Sequence, residues 1–282
     1  MIDSHAHLIS TDREKYPPSP LSGVLEENAF DNPVTAERLI GLLDQLGIDK
    51  ALVVQRAHLY GFHNDYVVDS AQKYPNRLRS LCMLDALAPN VEETVKYWVG
   101  ERGSVGIRLT EPKKGADSSW FASTEARRAW AAVTDLGGSV RLHFYRWNRL
   151  AALEALQDVV KEFPNTPVIL DHFSNIVVEG PEPDYGVDEA LLKFVDSPNV
   201  FLLYSMINLG KLKALDLPSA PVVERVVRSF GADRVMWGSD IAQSKGEYKD
   251  MVQMATSSVA TLSAEDQQKV LHTTAERIYF SQ

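Results

Sequence analysis

Short runs of apolar and β-branched residues recur along the chain, and longer amphipathic stretches separate them. The runs are IDSHAHL (2–8), ALVVQ (51–55), SLCMLD (80–85), SVGIRLT (104–110), SVRLHFY (139–145), PVILDHFS (167–174), VFLLYSM (200–206) and RVMWGSD (234–240). Their length and residue types predict buried strands. In the stretches between them, apolar positions return every three or four residues: 35–47, 64–75, 91–100, 123–137, 149–164, 188–196, 220–231 and 263–280. Several of these stop at a helix terminator, Gly47, Pro75, Gly100 or Gly137. Eight strands, each followed by helix, is the count of a (β/α)₈ TIM barrel. A doubly wound sheet usually has fewer strands and a glycine-rich first turn, whereas the first turn here is histidine-rich. The pattern therefore predicts an α/β chain whose residues 1–282 form a single barrel domain. One stretch interrupts it: residues 9–34, with YPPSP and AFDNP, form a long irregular connection. Loops of that length in a compact domain are usually functional, and after strand 1 of a barrel it is expected to act as a lid.

Barrel active sites gather at the C-terminal ends of the strands, so the residues delivered there carry the chemistry. Side chains at i and i+2 share one face of a strand, which points His5 and His7 the same way. Strand 2 ends in Gln55-Arg56, strand 3 in Asp85 and strand 4 in Arg108. Strand 5 carries His143 with Tyr145 on the same face, and strand 6 carries His172 with Ser174. Strand 7 carries Tyr204 and Ser205, and strand 8 ends in Asp240. Four of the seven histidines and an aspartate thus fall near strand ends. A single histidine there would be read as a satisfied core residue; five such residues on converging strands are poorly explained by chance.

His5, His7 and His143 supply three neutral nitrogens and Asp240 one anionic oxygen, a donor set for a single divalent ion with an open position for water. A water so bound has a pKa of about 7, and Asp240 could accept its proton. His172 is expected as the acid/base or oxyanion-stabilising group, or as a fifth contact. Arg108 has the fork to grip a substrate carboxylate; a salt bridge to Asp85 or Glu111 is the equal alternative. Gln55, Tyr145 and Tyr204, with Tyr60, Arg146 and Trp147, are expected around the substrate. His58 and His63 are left to substrate or solvent, and His272 to structure.

Composition narrows the partners. The chain is 45% hydrophobic and 24% charged, with net charge −9. Such a surface lacks the basic footprint that nucleic acid or an anionic membrane requires. No apolar run approaches the roughly 18–20 residues of a membrane span, and no basic-then-apolar leader is seen. The single cysteine, Cys82, lies in an apolar run and is expected to be a small core residue. The absence of disulfides suits a cytoplasmic protein; a homo-oligomer is compatible with these features.

The opening DSHAH, the LLDQLGIDKALVVQ segment, the LDHF strand and the SFGADRVMWGSD block resemble the amidohydrolase superfamily. More narrowly they resemble the amidohydrolase-related branch that holds 2-pyrone-4,6-dicarboxylate lactonase, sugar lactonases and nonoxidative decarboxylases. The resemblance implies a distorted (β/α)₈ barrel. It matches His5 and His7 to the strand 1 HxH, His143 and His172 to the strand 5 and strand 6 histidines, and Asp240 to the strand 8 aspartate. Two departures matter. Strand 4 offers Arg108 in place of a bridging lysine or glutamate, which disfavours a two-metal centre. GSD continues as IAQ instead of an aromatic and proline. The dicarboxylate lactonase works without metal and lacks a strand 5 histidine, so His143 shifts the expectation to one Zn²⁺ or Mn²⁺. The expected reaction is hydrolysis of a lactone or cyclic ester of a small carboxylated compound. The alternatives are a metal-dependent decarboxylase or hydratase, and a barrel that binds a ligand or metal without turnover.

Overall fold

The computed structural model describes residues 1–110 and 119–281. Eight parallel strands follow one another in sequence order around one sheet: β1 Ile2–Ala6, β2 Lys50–Val54, β3 Leu78–Met83, β4 Gly106–Thr110, β5 Ser139–His143, β6 Val168–Leu170, β7 Val200–Tyr204 and β8 Val235–Trp237. Past the strand ends, Asp240 N donates to His5 O (2.7 Å) and His7 N to Ile241 O (3.1 Å), which joins the last strand to the first. Gly238 makes this close approach possible, since a Cβ there would lie 2.3 Å from His5 Cβ.

Strand parity divides the core in two. Ala51 and Val53, Ile107 and Leu109, Val140 and Leu142, and Leu202 and Tyr204 face the surrounding helices. Leu52, Val54, Ile169, Leu203 and Met236 fill the barrel interior, where Ala275, Ile278, Tyr279 and Phe280 join them. Each fully buried side chain of this kind contributes about 1.5–3 kcal/mol. Helices Ala36–Leu46, Asp65–Lys73, Thr124–Asp135, Arg149–Glu162 and Ala220–Phe230 fall where the periodicity predicts them. The stretches 91–100 and 263–280 instead begin as short α-helices and continue as wider π turns. Among the described residues three α-helices lie outside the predicted set, the short Ala57–Tyr60, Met206–Ala214 and Tyr248–Ser258.

Strand 6 stops at Leu170 and not at 174. His172, Phe173, Ser174 and Asn175 then take left-handed backbone angles, with φ of 52–53°. His172 and Ser174 therefore do not share a strand face. The long connection 9–34 is held to the loop after β2: Ser19 N donates to Leu59 O (2.8 Å), Leu21 N to Ala57 O (3.0 Å) and Ser10 N to Tyr60 Oη (2.8 Å). Cys82 is fully buried among apolar neighbours. No helix among the described residues is long and apolar enough to cross a membrane.

Candidate metal centre and active site

At the C-terminal end of the barrel, His5 Nε2 lies 3.2 Å from His7 Nε2 and 3.5 Å from Asp240 Oδ1, and His7 Nε2 lies 3.3 Å from the same oxygen. A tetrahedral ion with bonds of about 2.0–2.1 Å has ligand–ligand edges of about 3.3–3.4 Å, so the three atoms are spaced to share one. Their orientation is fixed from behind. His7 Nδ1–H donates to Val54 O (2.8 Å), which leaves Nε2 as the bare lone pair. Asp171 Oδ1 is buried without a hydrogen-bond partner and lies 3.4 Å from His5 Nδ1. The same nitrogen lies 3.2 Å from Arg141 Nη1, which can only donate to it, so a metal on His5 Nε2 requires the ring proton to move to Nδ1, where Asp171 Oδ1 would accept it. Asp240, at φ 58°, takes a hydrogen bond on Oδ2 from the Ser244 hydroxyl (2.7 Å).

Electrostatics support these protonation states. Burial pushes His5 down to about 3, opposed in part by Asp171. Burial also lowers His172, again against Asp171, and takes His143 well below its ordinary value, with Arg108 adding to the effect. For Asp240 burial pushes the carboxyl up, but the adjacent His7 and His172 outweigh it and leave it below the usual carboxylate range. Neutral imidazoles and an ionised carboxylate are the donor states a divalent cation needs.

His143 does not join this cluster. Among the described residues, the donor atoms that lie mutually close are those of His5, His7 and Asp240, and separately those of His5, Asp171 and His172. Arg108 Nη2 donates to His143 Nδ1 (3.0 Å), so the neutral ring carries its proton on Nε2 and offers a donor where a ligand needs a lone pair. The expected four-donor set is thus three-donor in this geometry. His172 shares a 2.7 Å hydrogen bond between Nδ1 and Ser205 Oγ, which leaves Nε2 for the cavity it lines.

That cavity, about 350 Å³, is lined by His7, Asp240, His143 and His172, by Arg56, Arg108 and Arg146, and by Tyr145, Thr110 and Gln243 among others. Arg108 reaches it, but its Nε is paired with Asp171 Oδ2 (2.8 Å). Its ion-pair partner is therefore Asp171 and not Asp85, whose Oδ1 accepts from Leu87 N (2.9 Å); Glu111 lies outside the described residues. Two expected substrate contacts are placed elsewhere. Tyr204 sits on the outer parity of β7, fully buried, with its hydroxyl bonded to Ser258 Oγ (3.0 Å). Gln55 points into the loop after β2, donating to Gly61 O (3.2 Å) and His63 O (2.6 Å). Tyr145 does line the cavity, its ring 4.8 Å from that of His143. Exposed His58 also lines it, while His63 belongs to a different hollow and His272 lies 3.5 Å from Asp49.

Sequence reasoning passes over two buried charges that hold the centre. Asp171 faces Arg108, Arg141 and His5; burial raises its carboxyl, and those three cations and rings more than offset this, leaving it well below its ordinary value. Arg141, fully buried, donates to Ser4 O (2.9 Å) and Tyr279 Oη (2.7 Å). Their signal is a charged residue on the inner parity of an otherwise apolar strand. Asp3 is a third support, accepting from His5 N (3.1 Å), Ser239 N (2.8 Å) and the Tyr248 hydroxyl (3.0 Å).

Barrel and site together describe an α/β barrel scaffold with candidate metal ligands at the C-terminal ends of its strands. The amidohydrolase family model matches residues 2–280, and the chain belongs to that family. A relative, the uncharacterized protein y4mH of Sinorhizobium fredii, is 26% identical over 137 residues; the match covers 49% of this chain and 42% of that protein, less than half its length. Among solved structures, a probable 2-pyrone-4,6-dicarboxylic acid hydrolase from Acinetobacter baumannii with bound citric acid aligns with TM-score 0.75 and 21% identity, covering 98% of each chain. An amidohydrolase from Burkholderia multivorans with bound HEPES gives 0.73 and 19%, also over 98% of each. The manganese-bound 5-carboxyvanillate decarboxylase of Novosphingobium aromaticivorans gives 0.69 and 15%, over 98% of this chain and 96% of that one. At these identities the likeness establishes the fold.

Proposed function

We propose that this protein is a metal-assisted hydrolase that opens a lactone or related cyclic ester of a small carboxylated molecule. The observation that carries the reading is the convergence of His5 Nε2, His7 Nε2 and Asp240 Oδ1 at 3.2–3.5 Å, beside a cavity lined by arginines. These three residues would hold a divalent ion, Zn²⁺ or Mn²⁺, which when bound would supply Lewis acidity and lower the pKa of water. Asp240, ionised and steadied by Ser244, accepts the proton of the attacking water. It then returns that proton to the ring oxygen as the acyl–oxygen bond breaks, so that water plus cyclic ester gives the hydroxy acid. His172, anchored through Ser205, turns Nε2 toward the cavity, where a donor stabilises the developing oxyanion. His143 Nε2–H, set by Arg108, is a second donor on the same wall.

The manganese-bound decarboxylase on the same fold favours a second reading, in which Asp240 or His172 delivers a proton to carbon. Product analysis with a panel of carboxylated lactones and aromatic acids separates them. Expected is acid release without CO₂, lost on chelation and restored by metal. Asp240→Asn should lower kcat/KM by about 10²- to 10⁴-fold, the usual worth of a proton-transfer group, with the fold retained by circular dichroism. Full activity in that variant, or CO₂ as product, overturns the lactonase reading.

A further inference from the structure

Three arginines line the cavity, and two have carboxylate partners. Arg108 is bonded to Asp171 and His143, and Arg146 to Glu179 (3.2 Å). Arg56 differs. It is 7% exposed, its Nε donates to the neutral amide oxygen of Gln243 (3.0 Å), and its Nη1 is buried with no hydrogen-bond partner. Among the described residues no carboxylate lies within ion-pair distance of it. Asp240 is engaged by His7 and Ser244, and Glu26, exposed on the 9–34 connection, acts only at longer range. Burial pushes the guanidinium of Arg56 down from its ordinary value, as expected of a cation short of counter-charge. Across the same cavity, the Thr110 hydroxyl on β4 is also buried without a partner. A buried charge and a buried hydroxyl left unpaired are costly unless something pairs them.

We infer that Arg56, oriented by Gln243, is the specificity-determining anion subsite of this cavity and takes a carboxylate of the ligand on its open guanidinium edge, with Thr110 as the second polar contact. The inference rests on the reading of the site as one for small carboxylated molecules. It moves the carboxylate grip from Arg108, whose Nε and Nη2 are engaged by Asp171 and His143, to Arg56, whose Nη1 has no partner. Gln243 suits the task because an amide aligns the guanidinium without neutralising it, where an aspartate or glutamate would compete with the ligand. It comes from the GSDIAQ run, so Asp240 and the anion subsite are set by one loop.

The test reads binding, not turnover. Tetrahydrofuran-2-carboxylate and tetrahydrofuran-2-carboxamide have no ester to hydrolyse and are nearly isosteric, the acid carrying a negative charge where the amide carries a neutral NH₂ donor. They are titrated calorimetrically into the metal-loaded protein and into Arg56→Gln, Arg56→Lys and Gln243→Leu. The carboxylate is expected to bind the wild type tighter than the amide. Arg56→Gln should weaken it by about 10- to 100-fold, the worth of a charge-assisted hydrogen bond, with Arg56→Lys and Gln243→Leu between. Amide binding should stay level throughout. Equal binding of acid and amide by the wild type, no carboxylate binding, or carboxylate affinity indifferent to Arg56 overturns the inference. If Arg56→Gln does not fold, the ordering of Arg56→Lys and Gln243→Leu decides it. Carboxylate binding that tracks Arg56 in a protein that hydrolyses no lactone leaves the subsite standing and removes the lactonase.

Discussion

Ser174 carries two penalties at once. Its backbone is left-handed, at φ 52° and ψ 31°, and its hydroxyl is buried without a partner. A left-handed residue with a Cβ costs about 1–2 kcal/mol, and an unsatisfied buried hydroxyl about 1–3 kcal/mol. Ser174→Gly removes both and gives back some unfolded-state entropy, so a net gain of about 1 kcal/mol is expected; urea unfolding measures it, and a loss of stability contradicts the assignment of strain. Gly238→Ala works in the other direction. Its new methyl would meet His5 Cβ at 2.3 Å, and overpacking of this kind costs about 1–3 kcal/mol. Because the atom displaced belongs to a candidate ligand, metal affinity by competition with a chelator should fall along with the urea midpoint. The same scale shows what single letters reveal. Parity alone places Gln55 and Tyr204 on the outer face and Arg56, Arg108, Arg141 and His143 on the inner one, so those two substrate assignments were correctable from the strand pattern. That Arg108 spends its fork on Asp171 was not, since it depends on which strand end curls toward which.

The left-handed turn 172–175 is the element the sequence hides most completely. DHFSN contains no glycine, the residue that marks left-handed turns most strongly, so the run reads as a continuing strand. Its conformation is imposed from outside. Arg149 Nε donates to Ser174 O (2.7 Å) while its Nη groups grip Asp188 (2.5 and 2.9 Å), and Asn208 Nδ2 donates to His172 O (3.0 Å). Such a turn persists only where its surroundings overdetermine it. Arg149→Met should therefore cost about 1–3 kcal/mol and, by loosening His172, lower kcat more than it raises KM. Parallel changes in both constants would reduce Arg149 to a structural role. Helix Met206–Ala214 escaped because strand-like VFLLYSM runs straight into it and Gly210 interrupts its pattern. Helix Tyr248–Ser258 escaped because it is mostly polar. The helices with strong periodicity and a clear stop, such as Ala36–Leu46 before Gly47, were legible within a residue or two.

For the molecule as a whole, the alternation of eight apolar runs with amphipathic stretches is enough to give the barrel, because each strand needs one inner and one outer apolar face. The pH response is also a property of the whole. His5 titrates near 3 in the fold against an ordinary 6.5, so between those values the unfolded chain holds a proton that the folded chain does not. Stability of the metal-free protein is then lost as pH falls through this window, by about 1.4 kcal/mol per unit from this residue. His143 and His172, also lowered, add with the same sign, and Asp171 and Asp240, depressed carboxylates, do so further down. Melting temperature is expected to be level above about pH 7 and to fall below about 6.5; a level curve into the acid range would contradict it. A last mutation probes the barrel floor. Tyr279→Phe strands Arg141 Nη2, which now donates to the phenol at 2.7 Å, and should cost about 1–3 kcal/mol in urea unfolding.

One guanidinium thus clasps Ser4 and His5 near the start of the chain and Tyr279 near its far end. During synthesis the first histidines emerge long before the phenol that braces them. On the proposed metal-centre reading, the site is expected to gain affinity for a cation only when the segment carrying Tyr279 has cleared the ribosome and seated itself beneath the strands, which would make cation capture a late event in maturation; metal retained by arrested chains that stop short of Tyr279 would show otherwise.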